Sequence, residues 1–427
     1  MSERRAIAAS LDRARQGTLW IAQGLGEAEL RQQYDPELSP IGWHLGHIAW
    51  QKEIWGLRGL GRRAPLDPRL DAVFDAFRGP KQQRGERIPS PEELAVYAAR
   101  VHAELLDLLE RSPAAPDGSL PEAPTFRFLA NHERQHAEII AAVRLAGELP
   151  LGDPQGARRG EREGPARQAA DGFVTWPGGT FVLGSRDEPE AWDNELPAHS
   201  VSVPPFSIAR RLVSAGEWLE FMRAGGYADD RWWSDAGRHF RAALVTPAPR
   251  NWRRAGPNAW QELTLAGPLP VDPARPVAHV SFYEAEAFAR FAGARLPTEV
   301  EWELAASLDP ATARKRRWPW GDDAAARALA PRLAPAPCAS AAPSAFGLFD
   351  AVGSVWQWTA SAFGPYPGFR PQAYEGYSVP WFDGAHRVVR GGSYLTAPEI
   401  GRCCFRNWYL PSERKLPIGV RLARAAE

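Results

Sequence analysis

Residues 125–147 read TFRFLANHERQHAEIIAAVRLAG, and their spacing decides how the first third of the chain folds. Apolar residues recur every three or four positions and Gly147 stands where a helix stop belongs, so the stretch reads as one helix. His132 and His136 are then four apart, side by side on one face and able to reach a common ion. HERQH also satisfies the bare His-Glu-Xaa-Xaa-His pattern of zinc hydrolases. That chemistry needs Glu133 aimed at the metal, yet a residue next to His132 is turned about 100° away from it. The pair therefore needs a third ligand from elsewhere.

Working outward, three further stretches read as helices. They are SERRAIAASLDRARQGTLWIAQGL from Ser2, IGWHLGHIAWQKEIWGL after Ser39 and Pro40, and LAVYAARVHAELLDLLE, opened by SPEE at 90–93. Four helices predict a bundle, whose core is a normal place for a metal site. In the second helix His44 and His47 sit among apolar and aromatic residues, where an unpaired imidazole costs about 1–3 kcal/mol in lost hydration. One of them is expected to face the core as a ligand. His47 is the better candidate, one turn from Trp43 and Trp50 on one stripe, and His44 reads as an accessory or capping residue.

At 427 residues the chain exceeds the usual single domain. Residues 1–149 are assigned to the bundle, and 150–171, PLGDPQGARRGEREGPARQAAD, to a linker rich in charge, Gly and Pro. Residues 172–427 carry short strand-like segments, GTFVLGS, HSVSVPPFSI, RVVRGGSYL and IGVRLARA, and two helical ones, SAGEWLEFMRAG and SFYEAEAFARFAG. The predicted fold class is multidomain, α followed by α+β.

Basic and acidic residues number 51 each, and this zero balance removes the electrostatic case for a nucleic-acid or anionic-membrane partner. No stretch approaches 18 unbroken apolar residues and the N-terminus lacks the apolar run of a secretory signal, so a cytoplasmic protein is expected. Three cysteines, Cys338, Cys403 and Cys404, are too few for a disulfide framework and are expected to be reduced.

SPIGWHLGHIAWQKE followed by HERQHAE resembles the DinB-like iron-binding bundle of the ergothioneine-pathway sulfoxide synthases. PGGTFVLGS, DNELPAHSVSVPPFSI, VSFYEAEAFARFAGARLPTEVEWELAA, WPWGDD, GSVWQWTASAFGPYPGF, RVVRGGSYL, CCFRNW and GVRLARA are similar, in order, to their C-terminal domain, which has the C-type-lectin-like fold of formylglycine-generating enzymes. The resemblance spans nearly the whole chain. It implies that His47, His132 and His136 hold Fe(II) with three positions left open for substrates and oxygen, and neutral imidazoles suit that borderline ion. It also implies that Gln135, Asn407 and Trp408 meet the trimethylammonium and carboxylate end of hercynine, the betaine of histidine. An aromatic face suits a quaternary ammonium, which has no proton to donate.

The chain departs from its relatives in instructive places. Formylglycine-generating enzymes carry a copper-binding cysteine pair after RGGS; here the first positions after Ser393 hold no cysteine, so copper oxidase activity is not expected. GSVWQW places Gln357 where the related GNVWEW motif has a calcium-binding carboxylate, which puts a calcium site in doubt. Synthases that use gamma-glutamylcysteine have Asp after RNW to pair with its amine; this chain has Tyr409, and its basic loop reads FRGPKQQRGERIPSPEE. A pocket without that carboxylate suits an uncharged, hydroxyl-bearing donor, and the pattern resembles the selenoneine synthases, which use a selenosugar. The expected reaction joins selenium to C2 of the hercynine imidazole with dioxygen as oxidant, and Tyr374 or Tyr377 supplies the acid. The alternatives are a sulfoxide synthase using cysteine or gamma-glutamylcysteine and a non-catalytic ligand-binding protein. The expected partners are small molecules: hercynine, the selenosugar or thiol, and oxygen.

Overall fold

The computed structural model describes residues 2–152, 171–186, 188–257, 259–322, 332–372, 374 and 376–426. Residues 153–170 of the expected linker lie outside the described residues. The chain divides into two compact units, Met1–Leu151 and Gly152–Glu427.

The first unit is built on four long helices. Helix α1, Glu3–Ala22, is capped by the Ser2 hydroxyl, which accepts from the Arg5 N–H. Helix α2, Ile41–Gln51, starts after Pro40. Helix α3, Pro91–Arg111, opens with a capping box in which Ser90 and Glu93 satisfy each other's backbone N–H groups. Helix α4, Ala123–Ala146, ends at Gly147. The second helical stretch does not stay α-helical to Leu57 as its pattern suggests. It passes into a π-helical segment, Lys52–Leu60, a wider turn that is often found near functional sites.

Ile7, Leu11, Leu57, Val101, Leu105, Phe126 and Leu129 interlock to form the main core of the bundle. A second cluster gathers Trp43, Trp50, Leu70, Phe74, Ile88 and Leu94 around α2. Gly46 makes the second cluster possible, because a Cβ there would lie 2.0 Å from the Phe74 ring. Phe74 can therefore seat its ring on α2, which brings its carbonyl oxygen to His47.

In the second unit a four-stranded sheet has the order β3-β2-β1-β4, where β1 is Trp356–Ala362, β2 Arg387–Arg390, β3 Asn407–Tyr409 and β4 Ile418–Gly419. Strand β3 pairs with β2 antiparallel, with Trp408 opposite Val388 and Asn407 opposite Val389. The helical readings at SAGEWLEFMRAG and SFYEAEAFARFAG correspond to Ala215–Arg223 and Phe282–Phe291. Two further helices, Asp235–Ala242 and Glu299–Ser307, were not expected. The Glu299–Ser307 helix lies in the core, with Trp302 and Leu304 fully buried beside Phe206 and Ile208. No helix among the described residues is long and apolar enough to cross a membrane.

Candidate functional site

Helix α4 presents His132 and His136 on one face, and α2 brings His47 to them. One ring nitrogen from each lies within 4.8 Å of the others, with ring centroids separated by 4.4 Å for His132–His136, 4.9 Å for His47–His136 and 5.3 Å for His47–His132. The Nδ1 of His47 is 2.7 Å from the Phe74 carbonyl oxygen, which only accepts, so Nδ1 carries the proton and Nε2 keeps its lone pair for a cation. Trp43 stacks on the His47 ring at 4.6 Å and fixes its plane.

Burial lowers the pKa of every imidazole in the group. His47 falls to about 4 despite the opposing Phe74 carbonyl, and burial together with the neighbouring imidazoles holds His132 and His136 well below their ordinary value. Deprotonated, converging nitrogens are what a divalent transition metal requires, and among the described residues the cluster is made of imidazoles, without a carboxylate. The residues present therefore fit a three-histidine metal centre.

His44 is not a capping residue; Pro40 occupies the N-cap position and His44 lies one turn inside the helix. It is buried, and its Nδ1 is 3.0 Å from Nδ1 of His136, so one ring donates to the other. With His136 as the donor, its Nε2 keeps the lone pair for a cation and His44 is the partner that orients the ring. Glu133 does not face the cluster, because its carboxylate accepts from Lys52 Nζ at 2.5 Å. The general base of a zinc hydrolase is thus absent from the position that HERQH suggests. Gln135 is half-buried on α4, one residue before His136.

Arg84, in the basic loop, is committed to the bundle. Its guanidinium lies 4.0 Å above the Trp43 ring and donates to the Ser39 hydroxyl at 2.6 Å and the Ala76 carbonyl at 2.7 Å.

In the second unit, strand β3 carries Asn407, Trp408 and Tyr409, all half-buried. The Asn407 side-chain amide donates to the Tyr409 hydroxyl at 2.9 Å, and its oxygen accepts from the Trp408 N–H at 2.9 Å. Phe363 stacks on Trp408 with ring centroids 4.1 Å apart, and the Tyr377 ring meets Trp408 edge-on at 5.4 Å. Trp192 stacks on Tyr377 at 3.9 Å. Tyr374 lies in the same turn, its carbonyl accepting from the Tyr377 N–H at 3.1 Å. This turn is held by Asp193, whose carboxylate accepts from the Ser378 hydroxyl at 2.5 Å and from the Gln372 N–H at 3.4 Å. Sequence reasoning missed Trp192, Asp193 and Phe363. The DNELP stretch and the aromatic run after GSVWQW signalled that these regions matter, but gave no pairing between segments so far apart.

Gln357 is fully engaged within the domain. Its side-chain oxygen accepts from Trp302 and Arg421, and its amide donates to the Asp350 and Ala351 carbonyls. Cys338, Cys403 and Cys404 are free and buried. Glu188, Glu195 and Cys404 also converge, but Arg402 lies among them and donates to both carboxylates, supplying the positive charge that a metal would bring.

Comparison with known proteins matches both units. Residues 159–426 match the sulfatase-modifying factor enzyme 1-like domain, and residues 10–140 match the DinB superfamily. The hercynine oxygenase of Mycolicibacterium thermoresistibile is 44% identical over 98% of this chain and 94% of its own length. That of Mycobacterium tuberculosis is 42% identical over 98% of each chain. A formylglycine-generating enzyme of Thermomonospora curvata is 34% identical over 54% of this chain and 84% of its own. The solved structure of PvdO from Pseudomonas aeruginosa overlaps 60% of this chain and 94% of its own at 22% identity, with a TM-score of 0.41.

Proposed function

The chain belongs to the hercynine oxygenase family, and from that membership we propose that it is an Fe(II)- and dioxygen-dependent oxidoreductase that joins selenium from a selenosugar to C2 of the hercynine imidazole. The observation that carries the donor assignment is Tyr409. At the position after RNW the side chain is a phenol bonded to Asn407, where a thiol-using site has a carboxylate for the donor's amine. Arg84 agrees with this reading, since its guanidinium is already held by Trp43, Ser39 and Ala76 rather than left to grip an anionic donor.

His47, His132 and His136 would hold the iron, which when bound supplies the one-electron chemistry that lets dioxygen act as oxidant. The protein's own groups do the rest. The Phe74 carbonyl keeps His47 in the tautomer that leaves Nε2 for the cation, and His44, accepting at Nδ1, would do the same for His136. Gln135 is the α4 residue assigned to the betaine. Trp408 offers its ring to the trimethylammonium group, and Asn407, with one amide proton taken by Tyr409, keeps the other for a substrate acceptor. Tyr377 is assigned as the acid because its ring packs against Trp408, with Trp192 and the Asp193–Ser378 contact fixing its turn. Tyr374 supports the turn from upstream.

A second reading, a sulfoxide synthase joining hercynine to cysteine or gamma-glutamylcysteine, is favoured by the 44% identity to a hercynine oxygenase over nearly the full length. A purely ligand-binding role is disfavoured by the converged imidazoles, which a binding module does not need.

Two substitutions test the two substrate ends. Trp408→Ala is expected to raise the hercynine KM about two- to thirtyfold, corresponding to about 0.5–2 kcal/mol of cation–π attraction. An unchanged KM would place the ammonium elsewhere. Tyr409→Asp is expected to shift the ratio of kcat/KM toward gamma-glutamylcysteine and away from the selenosugar, measured at saturating hercynine and equal oxygen. A ratio that stays put would remove Tyr409 from donor selection.

A further inference from the structure

Glu133 follows His132 directly, yet it is turned about 100° from it and held there by Lys52. Both side chains are 3% exposed. Lys52 opens the π-helical segment that continues α2, five residues after His47. Its ammonium also lies 3.4 Å from Nδ1 of His102 on α3, and Nε2 of His102 lies 2.9 Å from the Asp12 carboxylate on α1. The donors run in one direction. Lys52 has only protons to give, so His102 accepts at Nδ1 and donates from Nε2 to Asp12. One hydrogen-bonded chain thus takes a residue from α1, α3, α4 and the extension of α2.

Stability gives little reason for such a chain. Removing two charges from water costs about as much as their attraction returns, and well-packed apolar side chains commonly replace a buried ion pair without loss. What an ion pair does set is register. Apolar contacts tolerate sliding and rotation, whereas a charged hydrogen bond holds over a narrow range of distance and angle. Turning α4 by one residue, about 100°, would carry Glu133 away from Lys52 and swing His132 and His136 away from His47.

We propose that the Lys52–Glu133 pair, extended by His102 and Asp12, is a positioning clamp that fixes the rotation of α4 against α2 and so brings the three imidazoles into metal-binding range. The proposal rests on reading those imidazoles as a metal centre. It assigns the Glu of HERQH to helix register, a role distinct from ligation and from proton transfer.

The test uses the full chain, Co(II) as the probe and its visible absorption as the readout, with unfolding followed separately. The Lys52→Met, Glu133→Leu double variant is expected to unfold at a denaturant concentration equal to or above that of the unaltered chain, while binding Co(II) at least about tenfold more weakly and with a shifted absorption band. Glu133→Gln, which keeps the side chain's shape, is expected to weaken Co(II) binding in the same direction. Leu105→Ala controls for general loosening, since Leu105 is fully buried in the bundle core; it should lose stability and keep Co(II) affinity. Unaltered affinity and spectrum in the double variant, or an equal loss in Leu105→Ala, would overturn the clamp. Failure of the unaltered chain to bind Co(II) would instead overturn the metal reading beneath it.

Discussion

Replacing His47, His132 or His136 by Ala is expected to take iron loading from stoichiometric to background and to abolish turnover, whereas His44→Ala keeps the metal with weakened affinity. The asymmetry follows from geometry. The first three offer nitrogens within 4.8 Å of one another, and removing one leaves only two of them to hold a cation. His44 meets His136 at Nδ1 and is outside the group of three, so its loss frees a ring to tilt without deleting a ligand. Contacts of that kind are worth about ten- to a hundredfold in metal affinity. Metal analysis of the four variants after dialysis decides the matter, and full loading in any of the first three would strike that residue from the ligand set.

A loss of similar weight, in stability rather than chemistry, is expected in the second unit. Glu303 is fully buried on the Glu299–Ser307 helix and accepts from the Gly184 N–H at 2.9 Å, from Lys315 Nζ at 2.5 Å and from Arg390. Glu303→Gln leaves the wholly buried Arg390 without its counter-charge, at a cost of about 3–5 kcal/mol. Burial pushes the Glu303 carboxyl upward, but the charges of Lys315 and Arg390 outweigh it and hold the folded value below the ordinary one. The unfolded chain therefore binds this proton first as pH falls. The stabilisation is complete above the ordinary carboxylate range and is lost as pH drops toward the folded value. Denaturant unfolding across that acid range should show a steeper decline for the unaltered chain than for Glu303→Gln. Equal midpoints at neutral pH would mean that the Cys404 and Phe405 carbonyls alone satisfy Arg390.

The bundle was legible because its helices carry their own punctuation. Ser2, the Ser90–Glu93 box and Gly147 mark ends that the apolar spacing alone leaves vague. The π-helical turn was not legible, because QKEIWGL offers apolar residues to either period. Packing decides there, where a Cβ on Gly56 would lie 2.4 Å from Leu105. The Glu299–Ser307 helix escaped for the opposite reason. It is buried along nearly its whole length, Glu299, Glu301 and Glu303 included, so its charged positions do not mark a solvent face, and only the Thr298–Glu301 capping box announces it.

The candidate sites divide in the same way. His132 and His136 share a helix and their relation is a matter of period, while the cost of burying an imidazole without a partner points to His44 and His47 alike and only the stripe shared with Trp43 and Trp50 favours His47. Trp192 and Phe363 join Tyr377 and Trp408 from remote segments, and among 18 tryptophans no sequence spacing singles one out. The sequence leaves His44 as an accessory or capping residue; its partner His136 lies 92 positions away, and only the folded bundle shows it.

Donor choice is the step on which the functional reading turns. The most direct measurement gives the unaltered, iron-loaded protein hercynine and oxygen with a selenosugar, a thiosugar, cysteine and gamma-glutamylcysteine in competition, and compares kcat/KM for each donor. The selenosugar is expected to be used most efficiently, with the zwitterionic thiols far behind. More efficient turnover of cysteine or gamma-glutamylcysteine than of any selenosugar would contradict the selenium assignment and make the protein a sulfoxide synthase.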